Sequence, residues 1–234
     1  MRKLAFLGLA LSLLASCVTG CSKDEDEFIE DGVTKSGTIG NYAYVDLGLS
    51  VKWATYNVGA TRPTGYGSYF AWGETEEKTS YMESNYKWCK TVHNRMLKYC
   101  LDTWSDAYDN KSVLEAEDDA ATVNWGGSWR TPTFEEQKEL LDGCTWEFVS
   151  DFNNRGVNGV VGTSKKNGNT IFLPASGYFE RSNLTSLSDV GVYWSASLSS
   201  TLNVKLLGFF VKYNEIQDYL QFRETGAPVR AVSE

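Results

Sequence analysis

Histidine is nearly missing: among 234 residues only His93 carries an imidazole. A Ser/His/Asp or Cys/His nucleophile needs that base beside it, and His93 lies in a polar, aperiodic stretch that offers no such arrangement. The cysteines are not at zinc-ligand spacing. Positive charge is also scarce, 22 Lys and Arg against 30 Asp and Glu, for a formal charge of −8. Nucleic acid, which needs clustered Lys and Arg, is excluded as a partner. Beyond the first residues no apolar run reaches membrane-spanning length. No tandem repeat is found, and no cysteine follows Cys144. Acidic residues are plentiful, but Asp118 and Asp119 are adjacent and do not face each other on a helix. The expectation is a chain with no catalytic residue, no metal and no cofactor.

What is present begins with a leader. Arg2 and Lys3 form a positive n-region and residues 4–15 an apolar h-region. Two cysteines follow small residues, in Leu14-Ala15-Ser16-Cys17 and Val18-Thr19-Gly20-Cys21. Both resemble the lipobox cut before a cysteine that is then acylated. Cys21 is the preferred lipidation site because the acidic run Asp24-Glu25-Asp26-Glu27 follows it closely. That run resembles the surface-export signal of Bacteroidetes lipoproteins, and it also reads as a solvated tether. The expected divisions are a signal peptide over 1–20, a flexible tether over 21–40 and one domain over 41–234. Loss of Arg2 and Lys3 with the leader takes the formal charge to −10.

Within the domain the most legible stretch is Asn124-Trp125-Gly126-Gly127-Ser128-Trp129-Arg130-Thr131-Pro132-Thr133. Two tryptophans bracket a Gly pair that permits a tight turn. Thr133 and Glu136 form a capping box that starts a helix, with Phe134, Leu140 and Leu141 on its apolar face and Gly143 ending it in a left-handed conformation. Trp53, Trp125, Trp129 and Trp194 are expected in the core, and Arg130 in a buried or half-buried hydrogen-bonded role. A second helix is expected over 114–124, with Leu114, Ala121 and Val123 inward and Glu115, Glu117, Asp118 and Asp119 near its start, where acidic groups suit the dipole.

Residues 42–58 read as a hairpin turning at Gly48-Leu49-Ser50. Residues 75–112 lose all periodicity and read as a long excursion held by scattered aromatics, with a short helix at about 92–101. After Cys144 the chain reads as strands and turns, Asn167-Gly168 being a hairpin signal. The class is α+β, with two or three helices in the first half and antiparallel strands with long loops in the second. Cys89, Cys100 and Cys144 leave either one disulfide, Cys100–Cys144 being favoured, or three buried thiols.

The ordered motifs Val45-Asp46-Leu47-Gly48-Leu49-Ser50-Val51-Lys52-Trp53-Ala54, Tyr69-Phe70-Ala71-Trp72-Gly73-Glu74, Trp129-Arg130-Thr131-Pro132-Thr133, Tyr193-Trp194-Ser195-Ala196-Ser197 and Pro228-Val229-Arg230 resemble a family of Bacteroidetes and Fibrobacter surface lipoproteins, the Fibrobacter succinogenes major paralogous domain type. More distantly they resemble formylglycine-generating-enzyme-like domains. The resemblance implies a C-type-lectin-like fold with paired terminal strands and loops that carry recognition. The C-terminal-half cysteine pair of those enzymes is missing, and so are the Glu-Pro-Asn, Gln-Pro-Asp and Trp-Asn-Asp motifs of calcium lectins.

The expected function is a non-enzymatic, lipid-anchored outer-membrane protein facing the cell exterior, recognising a glycan or a surface protein. The alternative is a structural component of an envelope assembly. Tyr193, Tyr213, Asn214, Tyr219, Phe222 and Arg223 are the expected contact residues, since Tyr and Arg are enriched at hot spots and aromatic faces suit sugar rings.

Overall fold

The computed structural model describes residues 28–30, 32–90 and 95–234; Cys17, Cys21 and His93 lie outside them. The class is α+β: every strand pairs antiparallel, and among the described residues there are two α-helices, both in mid-chain.

Strands β1 (Phe28–Glu30) and β2 (Val33–Lys35) form a hairpin, followed by β3 (Gly37–Ile39), β4 (Tyr42–Val45) and β5 (Lys52–Ala54). The expected turn between β4 and β5 is present. Asp46 accepts a hydrogen bond from the Gly48 N–H at 2.7 Å, and Gly48 takes the positive φ of 68° that the turn needs. The C-terminal β14 (Val232–Ser233) pairs with β5, giving a four-stranded sheet of order β14-β5-β4-β3 that joins both ends of the domain.

The folded part starts earlier than residue 41. Val33 is buried in a cluster with Phe152 and Phe172, and Thr34 exchanges hydrogen bonds with Thr170. Three-residue strands with one apolar side chain carry too little periodicity to stand out from a linker.

Helix α1 (Ala120–Trp125) is shorter than expected, because a 3₁₀ turn (Ala116–Asp118) precedes it and Asp119 intervenes as its cap. The Asp119 carboxylate accepts from the Ala121 and Thr122 N–H groups and from the Thr131 N–H and hydroxyl. This restart rotates the helix. Ala121 is buried, but Val123 is 52 % exposed rather than inward.

Helix α2 (Phe134–Gly143) carries the expected capping box, and Arg130 grips the Glu136 carboxylate through two bonds of 2.8 and 2.6 Å. Gly143 ends it without a left-handed turn: a Cβ there would lie 2.7 Å from the Leu49 side chain, so its role is close packing. Of the four tryptophans, Trp53, Trp129 and Trp194 are core. Trp125 ends a short helix at the rim and is half-buried, stacked on Tyr42 at 4.0 Å.

Two three-stranded sheets follow. The first, in order β6-β7-β8, comprises β6 (Cys144–Val149), β7 (Gly159–Ser164) and β8 (Thr170–Pro174). After the small hairpin β9 (Tyr178–Glu180) and β10 (Asn183–Thr185) comes the second, in order β11-β12-β13, comprising β11 (Val190–Leu198), β12 (Asn203–Phe210) and β13 (Glu215–Phe222). Helix α2 packs on one face of this sheet, tied by Gln137 to the carbonyls of Tyr193 and Trp194. The other face holds the larger core around Trp72, Trp129 and Trp194, whose Trp72 and Trp194 indoles donate to the Ser195 and Phe70 carbonyls.

The excursion over 75–112 is irregular as expected and anchored by the buried Tyr81, Tyr86 and Tyr99. No helix forms over its described residues 95–101: Met96 bridges to Cys89, and Tyr99 sits at φ 58°. Among the described residues Cys89, Cys100 and Cys144 form no disulfide, and the favoured Cys100–Cys144 pair falls in two different clusters, one under the excursion and one beneath α2.

Candidate recognition groove beside the edge strand

Strand β13 lies at the edge of its sheet. All eight of its residues pair with β12 in unbroken register, and no further strand pairs with its outer side among the described residues. From Asp218 on its burial alternates, with Tyr219 and Gln221 half-buried between exposed neighbours, while Ile216 packs on the cluster beneath α2 on the opposite face.

Gly208 of β12 decides where Tyr219 goes. A Cβ at that position would sit 2.6 Å from the Tyr219 ring, so only glycine lets the ring lie down over β12. There Tyr219 meets Phe210 edge-on at 5.4 Å. Together with Val192, Leu206 and Tyr178 these residues line an apolar cleft of about 220 Å³.

Tyr178 and Gln221 also line a second, larger cleft of about 600 Å³, so the two run on from one another along β13. The second is built by the β9–β10 hairpin. Phe179 wedges between the Tyr69 and Tyr81 rings at 5.0 and 5.3 Å, and the Tyr81 N–H donates to the Arg181 carbonyl. Arg181 turns the hairpin at φ 56°, a strained conformation for a side-chain-bearing residue. Phe222, Met82, Glu83, Glu180 and Glu224 complete the lining.

Burial raises the Glu224 carboxyl above its ordinary range, and repulsion from Glu83 adds to this against the pull of Arg223 and Lys78. Glu224 is therefore protonated more readily than an ordinary glutamate. A half-buried, perturbed carboxyl in a cleft is a recognised mark of a functional site.

The structure divides the six expected contact residues. Tyr219 and Phe222 line the groove. Tyr213 is 66 % exposed but sits with Asn214 in the β12–β13 turn, where Asn214 takes the left-handed conformation at φ 51°; neither lines the groove. Tyr193 is core, its hydroxyl bonded to the Pro174 carbonyl at 2.6 Å and pushed up to about 12 by burial.

Arg223 is fully buried. It donates to the Tyr86 hydroxyl and to the carbonyls of Lys98, Tyr99 and Thr201, with the Trp72, Tyr86 and Tyr99 rings 5.0 to 5.9 Å from its guanidinium. It is a pin for the excursion, unable to reach a ligand. Sequence reasoning missed Tyr178, Arg181 and Glu224.

Glu115, Glu117 and Asp118 converge as a metal site would. The Lys98 ammonium stands among them, at 2.5, 3.1 and 2.6 Å. A protein cation already occupies the centre of the cluster, and the Tyr99 hydroxyl and Lys87 complete the shell of Asp118. Comparison of the chain with family models, curated proteins and solved structures finds no match.

Proposed function

We propose that this chain is a surface lipoprotein, anchored in the outer membrane through Cys21, whose C-type-lectin-like domain recognises a glycan or protein ligand without catalysing a reaction. The groove beside β13 carries the reading. It offers aromatic faces at Tyr178, Tyr219 and Phe222, hydrogen-bonding carboxyls, and a row of strand backbone groups with no partner strand. Such a combination suits an extended ligand, since an edge strand supplies main-chain hydrogen bonds while adjoining pockets select side groups. The lectin-like reading is supported by the pairing of β5 with β14 and by the long aromatic-anchored excursion.

The test uses the full chain purified in detergent, presented to a glycan array with and without calcium and to solubilised cell envelopes. At least one ligand retained by the wild type is expected to bind at least ten-fold more weakly to Tyr219→Ser and Phe222→Ser, and unchanged to Tyr213→Ser. Equal binding by all four proteins would remove the groove from consideration. The second reading, a component of an envelope assembly, draws on Leu220 and Phe222, which are 59 % and 55 % exposed on the same strand. It predicts that crosslinking on intact cells joins β13 to one neighbouring subunit in fixed proportion.

A further inference from the structure

Residues 99–111 close on themselves. The Asp109 carboxylate accepts from the N–H groups of Tyr99 and Cys100, both at 2.8 Å, and of Lys111 at 3.1 Å, while the Asp109 and Asn110 N–H groups return to the Cys100 carbonyl. The base is held from below: Arg223 donates to the Tyr99 and Thr201 carbonyls, and the Leu101 N–H donates to the Thr201 hydroxyl. At the tip, successive turns bond Ser105 to Asp102 and Tyr108 to Ser105 through the backbone.

The outcome is that Trp104, the largest apolar side chain available, stands 94 % exposed on a braced loop. Trp104 borders a cleft of about 610 Å³, within the range of small-molecule sites (~300–1,000 Å³).

We infer that this cleft is a carbohydrate subsite in which the Trp104 indole stacks on a neutral sugar ring. The neighbours of Trp104 select the ligand. Asp102 and Asp106 supply carboxylates, Lys90 and Arg95 supply cations, and Ser105 and Thr201 supply hydroxyls. Two groups of each charge favour a ligand with no net charge but many donors and acceptors. The one face of indole favours a ligand whose ring presents C–H groups on one side. A pyranose meets both requirements. A protein anchor would want its tryptophan ringed by apolar groups that exclude water, and the cleft instead sets Lys90, Arg95, Asp102, Asp106, Ser105 and Thr201 among Met96, Leu97, Cys100 and Ala107.

This subsite shares no lining residue with the groove beside β13, so either can fail while the other stands. The experiment applies the full chain in detergent to an array of neutral and charged oligosaccharides. It compares wild type with Trp104→Ala, Trp104→Phe, Asp106→Asn and Phe222→Ser. Trp104 packs on almost nothing, so its replacement leaves the fold intact, which circular dichroism checks. The expected result is retention of one or more neutral oligosaccharides, at least ten-fold weaker with Trp104→Ala, partly restored with Trp104→Phe, weaker with Asp106→Asn and unchanged with Phe222→Ser. A blank array, binding by Trp104→Ala equal to wild type, or a Trp104-dependent capture of a protein in place of a sugar would each overturn it.

Discussion

Among the described residues Arg223, Arg230 and Lys98 are cations set into the protein, and each is held differently. Arg223 faces aromatic rings and carbonyls. Arg230 is also fully buried, bonded to Asn57 and to the Ala54 and Thr55 carbonyls, and burial lowers it to about 10. Lys98 alone has carboxylates. Asp118 shows what that pairing does: burial pushes its carboxyl up, yet bonds from Lys98, Lys87 and Tyr99 outweigh this and hold it below the ordinary range. The folded chain then binds fewer protons than the unfolded chain below about pH 4, the usual Asp value. The contribution of the pair is therefore complete above that pH and is lost as the pH falls through the lowered value. Asp118→Asn is expected to be less stable than wild type near neutrality, and the gap in urea midpoint should narrow progressively as the pH is taken below the usual Asp value of about 4. A gap that stays constant with pH would refute the assignment. None of these residues advertises its place locally. Arg223 follows an exposed strand residue and was read as surface, because what buries it is an irregular excursion more than a hundred positions away.

At the level of elements, legibility followed the length and purity of the pattern. Helix α2 could be read because its start is encoded within four residues: the Thr133 hydroxyl accepts from the Glu136 N–H, and the Glu136 carboxylate accepts from the Thr133 N–H and from Arg130. Thr133→Ala removes one side of that box and should cost about 1 kcal/mol, as helix caps generally do, measured as a shift in urea midpoint with an unchanged slope. A loss below about 0.3 kcal/mol would mean that Arg130 and the Ser197 hydroxyl, which receives the Phe134 N–H, hold the helix start without it. Strand β11 shows the limit. Eight of its nine residues are buried, and its run of apolar and small residues fits a strand covered on both faces. That pattern placed Trp194 correctly and should have placed Tyr193 beside it. In β13 burial alternates only from Asp218 on, and where the Tyr219 ring lies depends on Gly208 of the neighbouring strand, information that β13 does not contain.

Across the whole molecule, the decisive contacts join the extremes of the chain. The C-terminal β14 lies against β5, with Val232 opposite Trp53. The further contact is with the central stretch: Arg130 and Val232 exchange both backbone hydrogen bonds, and Ser128 meets Ser233 at 2.6 Å. Two residues thus bridge the first sheet to the turn that starts α2, and both are fully buried. Strand β2 is illegible for the converse reason, since the residues it packs on, Thr170 and Phe172, lie far away and leave no mark nearby. Ending the chain after Ala231 therefore does more than trim a tail. Burying one valine is worth roughly 1.5–3 kcal/mol, and the severed pair with Arg130 leaves buried backbone groups unpaired at a further 1–3 kcal/mol each. The sum rivals the stability of an ordinary domain, about 5–15 kcal/mol. The truncated chain is expected to lose its cooperative thermal transition altogether, whereas Ser233→Ala should keep it with only a modest drop in midpoint. A truncated chain that still melted as one unit near the wild-type midpoint would show that the sheets and helix hold together without the closing strand.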